Sequence, residues 1–346
     1  MNESPAPAVL ILAAGRGTRM FSEKPKVLHQ LMGRPLVAHV INAARYLAPA
    51  KLVVVTGFGA EEVEREVSDF MDAARRPEGE AALNPVFVRQ TEQLGTGHAV
   101  AMAKDVLKDF PGPILIMAGD VPLISPNTLD GFLKAHQALR ADLSVLTVEM
   151  EDPAAYGRII RDEANWLESI VEFRDATDEQ RQIREINSGL YLAEAAKLFE
   201  SIDRLSPDNE QKEYYLTDVV SDFRTRGLTA AAIEIPEAFA YEVQGINNRY
   251  ELAGAQAILK DRINEAWMRA GVTMLGPIST FIECTVRLAK DVTLWPSVIL
   301  TGHTTVGEGA EIGPFCHLHD CRVEAGAKVD GQQSLSGQEL KAETGE

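Results

Sequence analysis

Near the end of the chain seven aliphatic residues stand six apart without a slip: Ile282, Leu288, Leu294, Leu300, Val306, Ile312 and Leu318. A second file runs in step with it: Val286, Val292 and Val298, then the smaller Thr304, Ala310 and Cys316. Neither the helical period of 3.6 nor the strand period of 2 produces a step of six. A triangular coil with one hexapeptide per side does, so the spacing predicts a parallel β-helix. About three coils fit before Glu324 interrupts the file, and the stretch from 330 onward is polar and reads as a disordered tail. So few coils leave apolar faces to cover, which predicts a homo-oligomer, most simply a homotrimer packed through the coils.

The rest of the chain follows another rule. Over residues 8–150, short apolar runs rich in β-branched residues (9–12, 52–56, 86–89, 114–118 and 143–148) alternate with helical stretches (35–47, 60–73 and 98–108). Strand alternating with helix implies an α/β domain on a parallel sheet covered on both faces. Ligands of such sheets bind beyond the carboxyl ends of the strands. Residues 151–248 mix strand-like pieces (157–161, 190–192, 231–235) with polar segments and predict a lobe closing over that edge. One long helical pattern, 249–269, predicts a connecting arm.

Composition narrows the function. The 346 residues carry 34 Lys and Arg against 51 Asp and Glu, a net charge of −17. A general nucleic-acid binder needs a basic face, so that class is excluded; a small phosphorylated substrate held by a local cation cluster is not. The N-terminal apolar run has no basic segment before it, and no run reaches the roughly 20 residues of a membrane span, which predicts a cytoplasmic protein. Cys284, Cys316 and Cys321 have no partner pair at zinc spacing and read as free structural thiols.

The loop after the first apolar run, "LAAGRGTRMFSEKPKV", offers Gly15 and Gly17 for a tight bend with exposed N–H groups, and Arg19 and Lys26 as permanent cations. Met20 stands where a third glycine would complete a dinucleotide fingerprint, and no Gly-Lys-Ser/Thr follows to make a P-loop. Backbone donors with two cations suit a nucleoside triphosphate whose phosphates are being separated.

That loop, extended to "LAAGRGTRMFSEKPKVLHQLMGRPL", closely resembles the signature of the sugar-nucleotide pyrophosphorylases. Further matches follow in order: "QTEQLGTGHAV", "GDVPLI", "YGRIIRD", "VEFRDATDEQRQIREINSGLY", "EYYLTDVV" and "GINNRYELA". With the hexapeptide tail, they resemble the bifunctional uridyltransferase and acetyltransferase family that makes UDP-N-acetylglucosamine. The resemblance implies a Rossmann-like nucleotidyltransferase domain over 1–248, the helical arm over 249–270, and a shortened left-handed parallel β-helix over 271–329, ahead of the tail at 330–346.

The resemblance also implies roles. Leu12, Ala13, Gly15 and Gly17 would surround the nucleotide, and Arg19 and Lys26 would stabilise charge on the phosphates. Gln90, Gly95 and the adjacent Thr96 would bind the base end; His98 is read as structural. Asp120 and Asn247 would hold Mg²⁺, a hard cation that prefers oxygen. Gly157, Glu172, Asn187, Tyr215 and Thr217 would hold the sugar. The implied reaction is Mg²⁺-dependent formation of UDP-N-acetylglucosamine and pyrophosphate from UTP and N-acetylglucosamine 1-phosphate.

Two departures qualify this. The family commonly has Tyr where this chain has Ala118, which leaves another sugar 1-phosphate or dTTP open. The family's acetyltransferase site lies in later coils, and His303, His317 and His319 do not match its catalytic histidine by motif, so no acetyl transfer is expected. A non-catalytic nucleotide-binding oligomer is the alternative of another class.

Overall fold

The computed structural model describes residues 6–73 and 83–342. They form two compact units. The first comprises residues 1–29 and 36–248, and the second 30–35 and 249–346. No helix among the described residues is long and apolar enough to cross a membrane.

The first unit is built on a nine-stranded sheet. Its strands are β1 (Ala8–Ala13), β2 (Lys51–Thr56), β3 (Pro85–Arg89), β4 (Pro113–Ala118), β5 (Leu143–Glu149), β6 (Arg158–Arg161), β7 (Leu167–Val171), β8 (Glu185–Glu194) and β9 (Ala230–Ile235). The main path runs β9-β5-β8-β4-β1-β2-β3, with the β6–β7 hairpin attached to β8. Strands β4, β1, β2 and β3 are mutually parallel. In β1, Val9, Ile11 and Ala13 enter one hydrophobic core, while Ala8 and Leu10 enter the other. A strand buried on both faces reads as a continuous apolar run, which is how "AVLILA" is written. Helices α1 (Leu36–Arg45), α2 (Ala60–Ala73), α3 (Thr96–Ala101) and α4 (Pro126–Leu139) connect these strands. At α4 the start is set by Ser125, whose hydroxyl accepts from Thr128 N at 3.1 Å, with Pro126 in the first turn.

The sheet departs from the expected all-parallel layer. β8 runs antiparallel between β4 and β5, so residues 190–192, assigned above to a closing lobe, lie in the middle of the main sheet. The physical reason is burial: Leu190, Tyr191, Leu192 and Ala193 are all buried, and a strand with both faces covered belongs inside a sheet. Likewise β9 pairs parallel with β5.

The second unit stacks three four-stranded parallel sheets. Strand Phe281–Ile282 pairs with Ile299–Thr301, then His317–His319, then Ser334–Ser336. The other two sides repeat this pattern. All seven members of the first file and all six of the second line its interior. Helix Arg249–Arg269 contributes Ile263 and Trp267 to the same core. Its buried Asn264 donates to the carbonyls of Pro277 (2.9 Å) and Thr280 (3.0 Å). The hairpin Gln30–Leu31/Arg34–Pro35 also belongs to this unit, with Cys284 N donating to Met32 O at 3.0 Å.

The coil does not stop at Glu324. One side is a residue shorter, so Val323 and Cys321 take the inward places five residues after Leu318 and Cys316. The six-residue steps then resume to Val329 and Ala327. The stretch read as a polar tail continues the solenoid through Leu335 and Leu340, which pack on its core. Its polar letters are the outward positions of a coil, which need no apolar side chain. Residues 343–346 lie outside the described residues. Truncation after Gln332 removes two strands and two packed leucines, at a cost of roughly 2 kcal/mol or more. Calorimetry should then show the second unit melting roughly 10 °C lower. An unchanged midpoint would make residues 333–342 a detached tail after all.

Candidate active site

The strands of the parallel set, β1 to β4, all point their carboxyl ends at one region, and the loops that follow supply its side chains. After β1, the chain turns at Gly17, where φ is +68°. A Cβ there would stand 2.4 Å from Lys26 Cβ, so only glycine lets the loop fold against the lysine. Buried Met20 anchors one short turn, Thr18–Met20, and buried Val27 and Leu28 anchor the next, Lys26–Leu28. Arg19 is thereby left exposed and Lys26 half-buried.

Beyond β4, Gly119 N donates to Leu12 O at 2.9 Å, extending the β1–β4 pairing to the residue before Asp120. Ile246 N donates to Asp120 O at 2.9 Å, and Asn247 Nδ2 donates to Gly245 O at 3.3 Å. These contacts bring four residues from distant parts of the sequence to one point. Arg19 Nη2 donates to Asn247 Oδ1 at 2.9 Å, and Lys26 Nζ to the same oxygen at 3.3 Å. Lys26 also forms an ion pair with Asp120. Two oxygens from separate segments thus face a single positive centre. Among the described residues, no cluster of three or more His, Cys, Asp or Glu side chains is arranged to hold a metal ion on protein ligands alone.

The residues that follow β1, β2 and β3 line an open cleft of about 540 Å³, among them Arg16, Gly57, Phe58, Gln90 and Gln93, with Arg89 at the end of β3. Gln90 is buried at the end of β3, and its N donates to Thr56 O at 2.7 Å. Its amide nitrogen lies 3.1 Å from Gly95 O and 3.1 Å from His98 Nδ1. The Thr96 hydroxyl accepts from Leu216 N at 3.1 Å, so it holds two segments together. Three residues here carry no role in the sequence reading. The Arg16 guanidinium lies over the Phe58 ring at 5.1 Å. Gln93 donates to Ala14 O at 2.9 Å, tying the two loops. Arg16 and Gln93 sit inside the ordered motifs, which was the signal available for them; Phe58 lies outside them, and only the fold brings it to Arg16.

The five expected sugar residues also gather. Gly157 is buried, and a Cβ on it would stand 3.1 Å from Ile170 and 3.6 Å from Glu172 Oε1. The Thr217 hydroxyl donates to Glu172 at 3.3 Å. Asn187 donates to the Tyr191 hydroxyl at 2.8 Å and accepts from Gly189 N at 2.9 Å. Tyr215 OH is buried with no well-formed hydrogen bond, the Gln211 main chain being its weak neighbour. Burial pushes its pKa up to about 12. Burial likewise pushes the Glu172 carboxyl up, outweighing the Thr217 hydrogen bond, with Asp218, Asp175 and Glu213 adding negative charge nearby.

Because the raised Glu172 favours its protonated form in the fold, it binds more protons folded than unfolded just above the usual carboxylate range. Its ionisation therefore costs stability as pH rises out of that range. Glu172→Gln should raise the thermal midpoint of the ligand-free protein at pH 7, with the gain shrinking toward pH 4. A midpoint gain independent of pH would remove ionisation as its cause.

Residues 9–213 match the family described as the MobA-like NTP transferase domain. The chain is 41% identical over 334 residues to the bifunctional protein GlmU of Thermus thermophilus, covering 96% of this chain and 69% of that one. It is 42% identical over 316 residues to GlmU of Geotalea daltonii, covering 91% and 66%. With GlmU of Geobacter metallireducens the figures are 43% over 324 residues, 94% and 63%. The chain spans about two thirds of the length of these relatives. A solved UDP-glucose pyrophosphorylase complexed with UDP-glucose superimposes with a TM-score of 0.57 at 17% identity, covering 74% of this chain and 99% of that one, which is a likeness of fold. The chain therefore belongs to the MobA-like NTP transferases and, among them, to the GlmU family, and it is a nucleotidyltransferase.

Proposed function

We propose that the chain is a Mg²⁺-dependent uridylyltransferase that forms UDP-N-acetylglucosamine and pyrophosphate from UTP and N-acetylglucosamine 1-phosphate. The observation that carries this reading is the meeting of Arg19, Lys26, Asp120 and Asn247 at the carboxyl ends of β1 and β4. Two cations and two oxygen donors at one point suit a triphosphate that must be held and cleaved.

In this reading Leu12, Ala13, Gly15 and Gly17 lay the loop backbone along the nucleotide. Gln90, Gly95 and Thr96 bound the base. Gly157, Glu172, Asn187, Tyr215 and Thr217 hold the sugar, and the half-buried Glu172 accepts from its hydroxyls. An oxygen of the sugar phosphate attacks the α-phosphorus in line. The bond to the β-phosphate's bridging oxygen breaks, and pyrophosphate leaves with the electron pair. The acceptor is already an anion, so no side chain has to remove a proton. Arg19 and Lys26 offset the charge that accumulates on the phosphates and keep the two substrates aligned.

Asp120 and Asn247 fit a hard divalent cation, since both turn an oxygen onto the Lys26 ammonium. Two protein oxygens leave the remaining positions to phosphate and water, which suits Mg²⁺. When bound, Mg²⁺ supplies further neutralisation across the phosphate oxygens. The reading includes a homotrimer through the coils, which sedimentation tests. It assigns no acetyl transfer to these coils, where His317 and His319 share the Thr301 hydroxyl as a partner.

Ala118, at the end of β4 beside the nucleotide loop, supports a second reading with the same reaction. A smaller side chain at that edge leaves room for another sugar 1-phosphate or for dTTP. A panel of sugar phosphates with both nucleotides separates the two.

The test is pyrophosphate release from UTP and N-acetylglucosamine 1-phosphate, with Mg²⁺ and with chelator. Release should require both the sugar and the metal. Arg19→Ala and Lys26→Ala should each lower the turnover number by about 10²–10³, or roughly 3–4 kcal/mol, with the fold retained. Nucleotide binding without release from any sugar would favour a non-catalytic oligomer.

A further inference from the structure

The Gln90 amide has a fixed orientation. Gly95 O, 3.1 Å from it, is a carbonyl oxygen and can only accept, so the amide nitrogen faces it. That nitrogen has two hydrogens, and the second points to His98 Nδ1 at 3.1 Å. For Nδ1 to accept, the His98 ring must carry its proton on Nε2. Both Gln90 donors are then consumed inside the protein, and the group left to face a ligand is Oε1, an acceptor.

His98 is well placed to impose this. It is the third residue of α3, whose start is pinned by the Tyr214 main chain: Gly97 N donates to Tyr214 O, and Tyr214 N donates to Leu94 O, both at 2.8 Å. Gly95 has φ +107°, and a Cβ there would stand 2.6 Å from Tyr214 O. The His98 ring is backed by the Tyr214 ring, with centroids 6.5 Å apart. Gln90 itself is buried and lines the cleft together with Arg16 and Phe58.

We propose that His98 is a positioning residue for base recognition: by accepting one Gln90 amide hydrogen it makes Gln90 an acceptor only, and so selects bases that carry a ring N–H. Uracil and thymine present N3–H; cytosine presents an unprotonated N3, an acceptor against an acceptor. The device rejects cytosine and does not separate uracil from thymine. The inference rests on the proposed uridine nucleotide substrate. It adds a role for a residue that does not itself touch the base.

The experiment compares kcat/KM for UTP and CTP in the wild type, His98→Leu and His98→Asn, with calorimetric affinities for both nucleotides on the same proteins. Leucine removes the acceptor. Asparagine returns one, because its Oδ1 stands close to the place of Nδ1. His98→Leu should lower the UTP-to-CTP ratio by roughly 10- to 100-fold, through a higher KM for UTP more than a lower kcat, and His98→Asn should recover most of that ratio. A His98→Leu ratio equal to wild type overturns the proposal, as does His98→Asn falling as far as His98→Leu, which would make ring bulk the cause. Should His98→Leu not fold, His98→Ala takes its place. If the wild type turns over neither nucleotide, the substrate reading fails, and the ratio of affinities still decides the role of His98.

Discussion

The candidate site depends on one electrostatic meeting. The Lys26 ammonium is shared between the Asp120 carboxylate and the Asn247 amide oxygen, and Arg19 reaches the same amide. The contacts join the loop after β1, the loop after β4 and the last turn of the first unit. Each partner is held by main-chain bonds of its own: Gly119 to Leu12, Ile246 to Asp120. A cation in a half-buried setting is strongly attracted to such oxygens, because little water competes for it. The loops that carry the cluster are therefore held in place by bonds within the protein.

The sheet exists to present these loops. β1 is buried on both faces, so its register with β2 and β4 is set by two cores at once. Once that register is set, Gly17, Gly57, Gln90 and Gly119 emerge at the same edge. The antiparallel β8, inserted between β4 and β5, carries Asn187 beside Gly157. The β6–β7 hairpin brings Gly157 and Glu172 beside it. The half-buried Glu172, whose carboxyl burial pushes up from its ordinary value, lies there too, and its ionisation costs stability as pH rises out of the carboxylate range.

Much of this is legible in the sequence, for reasons that differ by region. The solenoid is readable because each coil repeats the same burial, so the aliphatic spacing is the structure. It becomes unreadable at Glu324 because one side of one coil is a residue shorter, and a strict period cannot absorb that step. The stretch from 330 reads as a tail because its outward residues are polar, while Leu335 and Leu340 still turn inward. β8 reads as part of a lobe because its order in the chain says nothing of its neighbours in the sheet. Arg19 and Lys26 stand out in the glycine loop itself, Asp120 and Asn247 only through ordered motifs; composition alone offers no reason to pair residues 26 and 247.

The sequence by itself determined the local facts: a doubly buried first strand, a loop that only glycine at 17 can close, two permanent cations beside it, and a six-residue coil. These follow from side-chain chemistry and short-range sterics, which act between near neighbours in the chain. Only the tertiary structure decided which distant residues meet. The two oxygens on Lys26, the Arg16–Phe58 stack and the orientation of the Gln90 amide against His98 all arise from contacts made when separate loops converge at the sheet edge. Hydrogen bonds and ion pairs act over a few ångströms of space, and sequence separation carries no information about that distance until the fold has closed it.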